Sequence, residues 1–194
     1  MLFRSLNDIL KDQKKYMQDY NLSQEEFEKI AKIYSGILEQ ESGLGTNWRY
    51  FAKKIPFMQL LGKEVTDLID IYEGKTPTYS LSDMLFNENY STGVGQIKPK
   101  WFNEDNKYGI DVNDPRAPFI ALLDRYKNQV HGTKGTEEGY RQLVNSYKGI
   151  KAPDNEYLRN VFKYANKVKF DGDYTSPPFD YEGSKQKKIG RAHV

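Results

Sequence analysis

The stretch from Ser23 to Gly45 constrains this chain more than any other. Ser23 followed by Glu26 forms a capping box, and Phe27, Ile30, Ala31, Tyr34, Ile37 and Leu38 then recur at helical spacing as one apolar stripe. Gly43 and Gly45 end the helix. Glu41 continues the stripe of Phe27, Ala31, Tyr34 and Leu38, so the helix that buries those side chains aims a carboxylate the same way, while Glu39 points elsewhere. Apolar neighbours and the negative end of the helix both disfavour a charge there, so the expected state is a carboxyl that stays protonated near neutrality. A general acid for a glycosidic oxygen needs that property. The plainer reading is a helix-end glutamate that reaches back to water or pairs with a lysine.

The rest of the chain reads as more helices. Leu2, Leu6, Ile9, Leu10, Tyr16 and Met17 predict one amphipathic packing helix within residues 1–22. Residues 46–90 carry weaker signals, with helices around Tyr50 to Leu61 and Val65 to Tyr72 and turns at Gly74 and Pro77. The segment NYSTGVGQIKPKWF that follows predicts a small hairpin or an irregular loop lining a cleft. Asp114-Pro115 precedes a helix with the stripe Phe119, Leu122, Leu123, Tyr126 and Val130, closed by HGTKG. A further helix carries Tyr140, Leu143, Val144 and Tyr147 and stops at Gly149. Asp154 is the expected cap of the last helix, whose face is Tyr157, Val161, Tyr164, Ala165 and Val168. Residues 1–170 thus form one mainly α domain. Beyond it, Gly, Pro, Ser and Lys without periodicity predict an extended or disordered tail over 171–194, made basic by Lys185, Lys187, Lys188 and Arg191.

Composition removes several classes of function. The 29 Lys and Arg nearly cancel the 27 Asp and Glu, so no global field draws the chain to nucleic acid or to a membrane surface. Cysteine is absent, which excludes disulfides and thiolate sites. No segment has the apolar length of a membrane span, and the first residues lack the apolar core of a signal peptide. His131 and His193 stand apart from any ligand spacing, so neither a metal nor another cofactor is expected. Among the aromatics, Trp48 and Trp101 are candidates for stacking on sugar faces and equally for core packing.

Three motifs, in order, carry a resemblance over residues 27–168. QESGLG at 40–45 resembles the segment that bears the catalytic glutamate of soluble lytic transglycosylases and goose-type lysozymes, where Glu-Ser closes a helix; Glu41 and Ser42 take those places. STGVGQIKPKWF at 91–102 is similar to the family's Gly-x-x-Gln-Ile-x-Pro motif through Gly93, Gln96, Ile97 and Pro99, and is closest to the Gly-x-Gly-Gln-Ile form of secretion-system and phage members. LVNSYKGIKAPDNEYLRNVFKYANKV at 143–168 resembles the Ala-Tyr-Asn-Ala-Gly segment and the tyrosine-bearing helix after it, with Tyr147 in the place of the cleft tyrosine. A weaker match runs through DVNDPRAPFIALLDRY, where Pro118 stands for the family's Asn. The chain departs in three further places: a long gap from Ser42 to Gly93, Lys148 in place of the Asn after the tyrosine, and only Asp154 and Glu156 near the position of an acidic residue that many members carry.

The resemblance implies a lysozyme-like domain with a small or irregular β element in the cleft, and an enzyme acting on peptidoglycan glycan strands. Glu41 would protonate the bridging oxygen of the β-1,4 bond after the muramyl sugar and then take the proton of that sugar's 6-hydroxyl, leaving a 1,6-anhydro ring. Ser42, Gly93, Gln96, Ile97 and Tyr147 would bind or position the substrate. Partners would be the glycan and the proteins of a phage virion or secretion apparatus, with no nucleic acid. Action in the bacterial periplasm or cell wall, without a signal peptide, implies delivery by a particle, by lysis or by a secretion channel. Two alternatives stay open: a hydrolytic lysozyme of the same fold, in which one of Asp83, Glu88, Asp154 and Glu156 would orient a water, and a structural component that binds glycan without cleaving it.

Overall fold

The computed structural model describes residues 2–42, 95, 97, 102, 106–150, 155–170 and 176–181. Six helices and no strand element occur among them: α1 (Leu2–Lys11), α2 (Gln13–Tyr20), α3 (Gln24–Ser42), α4 (Ala117–Gln129), α5 (Glu137–Lys148) and α6 (Glu156–Ala165). The elements expected within 46–90, and nearly all of the loop at 89–102, lie outside the described residues. The single amphipathic helix expected at the start is two, α1 and α2, separated at Asp12; Asn21, left-handed at φ 52°, then ends α2. The last helix is capped by Asn155, whose side chain accepts from Leu158 N at 2.8 Å, and not by Asp154.

α3 is the axis of the core. Its capping box forms as the sequence predicts: Ser23 N donates to Glu26 Oε2 at 2.9 Å and Glu26 N to Ser23 Oγ at 3.2 Å. From Phe27 to Leu38 every residue is buried, so the helix is covered all round and not along a stripe alone. On one side α4 brings Phe119 edge-on to Phe27 and Tyr34, each at 5.8 Å between ring centroids, and Tyr34 Oη donates to Pro115 O at 2.8 Å. On another side α6 crosses at Gly36, where a Cβ would lie 2.3 Å from Val161 O. Only glycine admits that approach, and it sets the distance between the two helices that carry the site described below.

Full burial of α3 raises a question about Glu28, Lys29 and Lys32, which lie off the stripe and are only 4–5% exposed. Charged groups are buried at a cost unless they are paired or hydrogen-bonded. The partners come from residues 176–181, which are packed on the helices where the sequence predicts part of an extended or disordered tail. Ser176 N donates to Glu28 Oε2 at 3.1 Å, and Lys32 Nζ donates to Ser176 Oγ at 2.7 Å and to its carbonyl at 3.2 Å. Lys29 Nζ lies 4.1 Å from the centroid of Phe179. Phe179, 3% exposed, stacks on Phe162 at 4.4 Å, and its backbone is held at both polar groups by Asn166, at 2.7 and 2.8 Å. Burial pushes both lysine ammonium groups below the ordinary lysine range.

The other end of α3 is tied to α4 through Glu26. Tyr126 Oη donates to Glu26 Oε1 at 2.6 Å and accepts from Gly135 N at 2.6 Å. Burial works to raise the Glu26 carboxyl, but the hydrogen bonds from Tyr126 and Ser23 outweigh it and hold it below its ordinary value of 4.5. A carboxyl lowered on folding contributes stability that is present above its unfolded pKa and is lost as pH falls through the folded value. Glu26→Gln should therefore cost on the order of 1 kcal/mol at neutral pH, the usual worth of a cap, and nothing extra well below pH 4.5. Melting curves of both proteins against pH would check this; curves that stay parallel below pH 4 would show that the contact carries no linkage.

Candidate functional site

The buried stripe of α3 delivers Glu41 to the last turn of the helix, where its side chain is 10% exposed. The surroundings differ from the apolar pocket that the sequence predicts. Tyr157 Oη donates to Glu41 Oε1 at 2.8 Å, and Lys148 Nζ donates to the same oxygen at 3.0 Å. Lys148 is the last residue of α5 and its side chain is 44% exposed. Its ammonium also lies 5.1 Å from the centroid of Tyr157, so cation, ring and carboxylate form one cluster. Tyr157 is fixed by the first turn of α6 beside the Asn155 cap, and Asn155 Nδ2 donates to Asn145 of α5 at 2.7 Å, joining the two helices next to Glu41. Burial first, and then the Glu41 carboxylate, raise the Tyr157 phenol far above the ordinary range, so it remains a neutral donor.

Tyr147, the neighbour of Lys148 in the last turn of α5, anchors a different part of the chain. Its hydroxyl donates to Gly95 O at 2.8 Å. A Cβ on Gly95 would lie 2.3 Å from Pro118 Cγ and 2.6 Å from Tyr147 Oη, so no side chain fits between them. Glycine at 95 thus lets the backbone at that residue reach both α4 and α5. Burial, followed by the nearby Glu41 charge, holds the Tyr147 phenol well above its usual range. Behind its ring stands Arg125 of α4, with Cζ 5.2 Å from the centroid.

The structure thus brings together three of the segments that carried the resemblance: the end of α3, residue 95 and the end of α5, with Pro118 of the weaker match against Gly95. Ser42 is the last residue of α3. Gly93 and Gln96 lie outside the described residues, as do Trp48, Trp101, Asp83, Glu88, Asp154 and His193. Ile97, a candidate substrate contact, is instead 5% exposed within the hydrophobic core, where an isoleucine has no polar group to offer a sugar. Glu156 is exposed at the start of α6, and His131 is exposed.

Tyr157 and the contact made by Lys148 were missed in the sequence. Tyr157 reads as one more member of a core face, and its hydroxyl goes unnoticed unless the first turn of α6 is known to abut the end of α3. Lys148 was visible only as a departure from a motif. Among the described residues no group of His, Cys, Asp and Glu is placed to hold a metal ion, and no helix is long and apolar enough to cross a membrane. Chemically, the cluster offers a partly buried carboxylate that accepts two hydrogen bonds on one oxygen. No family model, curated protein or solved structure matches this chain.

Proposed function

We propose that the chain cleaves the glycan strands of peptidoglycan as a lytic transglycosylase with a lysozyme-like fold, using Glu41 as its single acid and base. The observation that carries the reading is the convergence on one carboxylate: segments more than a hundred residues apart in sequence supply Tyr157 and Lys148 to Glu41 Oε1. The donors fix the carboxyl group so that its second oxygen can address a bridging oxygen. Lys148, more exposed than the rest, swings to solvent when a sugar enters, and Tyr157 stays. Glu41 then gives its proton to the leaving oxygen, the N-acetyl group of the muramyl sugar steadies the cationic carbon, and Glu41 takes the proton of the 6-hydroxyl as the 1,6-anhydro ring closes. This activity places the protein at the bacterial cell wall, with virion or secretion-apparatus proteins as candidate carriers.

The experiment is the mass of the sugars released from purified peptidoglycan. Muramyl ends lighter by one water and resistant to borohydride are the expected product; reducible ends would make the protein a hydrolytic lysozyme. One observation favours a second reading. The Lys148 ion pair could hold Glu41 as a structural tie between α3 and α5, in a component that binds glycan without cleaving it. Release of no sugar by folded protein that still sediments with peptidoglycan would establish that reading instead.

A further inference from the structure

A concave site that does not include Glu41 lies between α2 and α4, with Phe102, Asn106 and Lys107 also lining it. Asp19, Lys107, Asp124, Arg125 and Asn128 give it a polar wall, and Phe102 and Ala121 give it an apolar one. Most of its charges already have partners. Asp19 accepts from Lys107 at 2.5 Å and from Tyr108 at 2.8 Å, and Asp124 Oδ1 accepts from Tyr20 Oη at 2.7 Å.

Arg125 is the exception. Its Cζ lies 5.2 Å from the centroid of Tyr147, and its guanidinium makes no hydrogen bond among the described residues. Arg116, at the other end of α4, shows the usual arrangement, with Nε and Nη2 on the two oxygens of Asp114 at 3.1 and 2.8 Å. A guanidinium carries five N–H donors in a fixed fork, and those of Arg125 are not sealed from solvent, so an acceptor from outside can reach them. Burial depresses Arg125 below the ordinary arginine range. Next to it, Asp124 is not ion-paired with Arg125; Tyr20 donates to its Oδ1, and Oδ2 accepts no hydrogen bond among the described residues. One cavity is thus lined by an arginine whose guanidinium makes no hydrogen bond, an aspartate with one oxygen unengaged by protein donors, and the apolar Phe102 and Ala121.

We propose that this cavity binds an α-amino-acid group, one carbon bearing both carboxylate and ammonium, with the carboxylate on Arg125, the ammonium on Asp124 and the side chain over Phe102 and Ala121. Two sources share that chemistry: a free amino acid, or the unlinked end of a diamino diacid within a peptide. The second source would make the cavity a peptide-reading site on the same substrate as Glu41 and so rests on the glycan reading; the first does not.

Calorimetric titration of the full chain with D-alanine, L-leucine and 2,6-diaminopimelate tests the site without any cleavage step, so loss of the glycan reading would leave its outcome intact. Saturable binding is expected, weakened at least about tenfold by Arg125→Gln and by Asp124→Asn, the scale of a lost charge-assisted hydrogen bond. Because Arg125→Gln also removes the support of Tyr147, Asn128→Trp serves as a second variant that blocks the exposed rim and keeps Arg125; it should abolish binding with the melting temperature retained. Diaminopimelate binding at least tenfold tighter than the other two would identify the peptide source, and equal binding the free amino acid. Absence of heat with all three at millimolar concentration, unchanged binding by folded Arg125→Gln, or equal binding of propionate, which lacks the ammonium, would overturn the assignment.

Discussion

Glu41→Gln should lose the cleavage of purified cell walls by at least about 10²-fold to 10⁴-fold, the range typical of general acid and base catalysis, while its helix content and melting temperature stay close to those of the parent. The amide keeps the shape and can still accept from Tyr157 and Lys148 at the positions that Oε1 holds at 2.8 and 3.0 Å, so the packing between α3, α5 and α6 has no reason to change. What it cannot do is deliver a proton. Tyr157→Phe, which keeps the ring beside Lys148, should cost less, because it loosens the carboxyl group without removing it. Turbidity clearing by folded Glu41→Gln at the parent rate would sink the catalytic role. A Glu41→Gln protein that is strongly destabilised would instead favour the structural tie with Lys148, since removing one partner of a partly buried pair leaves the other uncompensated.

Phe179→Ala should lower stability by about 3–5 kcal/mol, the cost of emptying a well-packed aromatic site. For a chain of this size each kcal/mol moves the melting temperature by roughly 2–4 °C, so a fall on the order of 10 °C is expected. The residue is 3% exposed, stacks on Phe162 at 4.4 Å, meets Tyr140 edge-on at 5.6 Å and sits under the Lys29 ammonium. Ending the chain after residue 175 should cost more still, because Glu28 and Lys32 then lose the partners that Ser176 provides. A thermal melt followed by circular dichroism measures both. A shift below about 2 °C for Phe179→Ala would mean that residues 176–181 do not hold the core in solution.

These two expectations separate what could be read in the chain from what could not. Ser23, Glu26 and the stripe from Phe27 to Leu38 set the start, the register and the buried side of α3, because a capping box and a 3.6-residue period are local properties that need no partner to be recognised. The same period carried Glu41 to the buried side. The stop of α5 at Gly149 was equally local. Boundaries that depend on a single side chain were less secure: Asn155 and not Asp154 caps α6, although either residue is suited to the role, and Asp12 divides α1 from α2 within the gap between Leu10 and Tyr16, where no apolar residue stands.

The sequence by itself determined a helical chain and a carboxylate placed at the end of its most buried helix. Tertiary structure decided what surrounds that carboxylate. Tyr157 reaches it because Gly36 lets α6 close on α3, Lys148 comes from the end of α5, and Gly95 reaches Tyr147 only because it lacks a side chain. The same holds for the far side of α3: Glu28, Lys29 and Lys32 look like a solvent face until residues 176–181, some 140 positions later, cover them. Periodicity reports which side of a helix avoids water, but the polar partners of a buried charge are fixed by contacts distant in sequence, and those follow from how the helices pack.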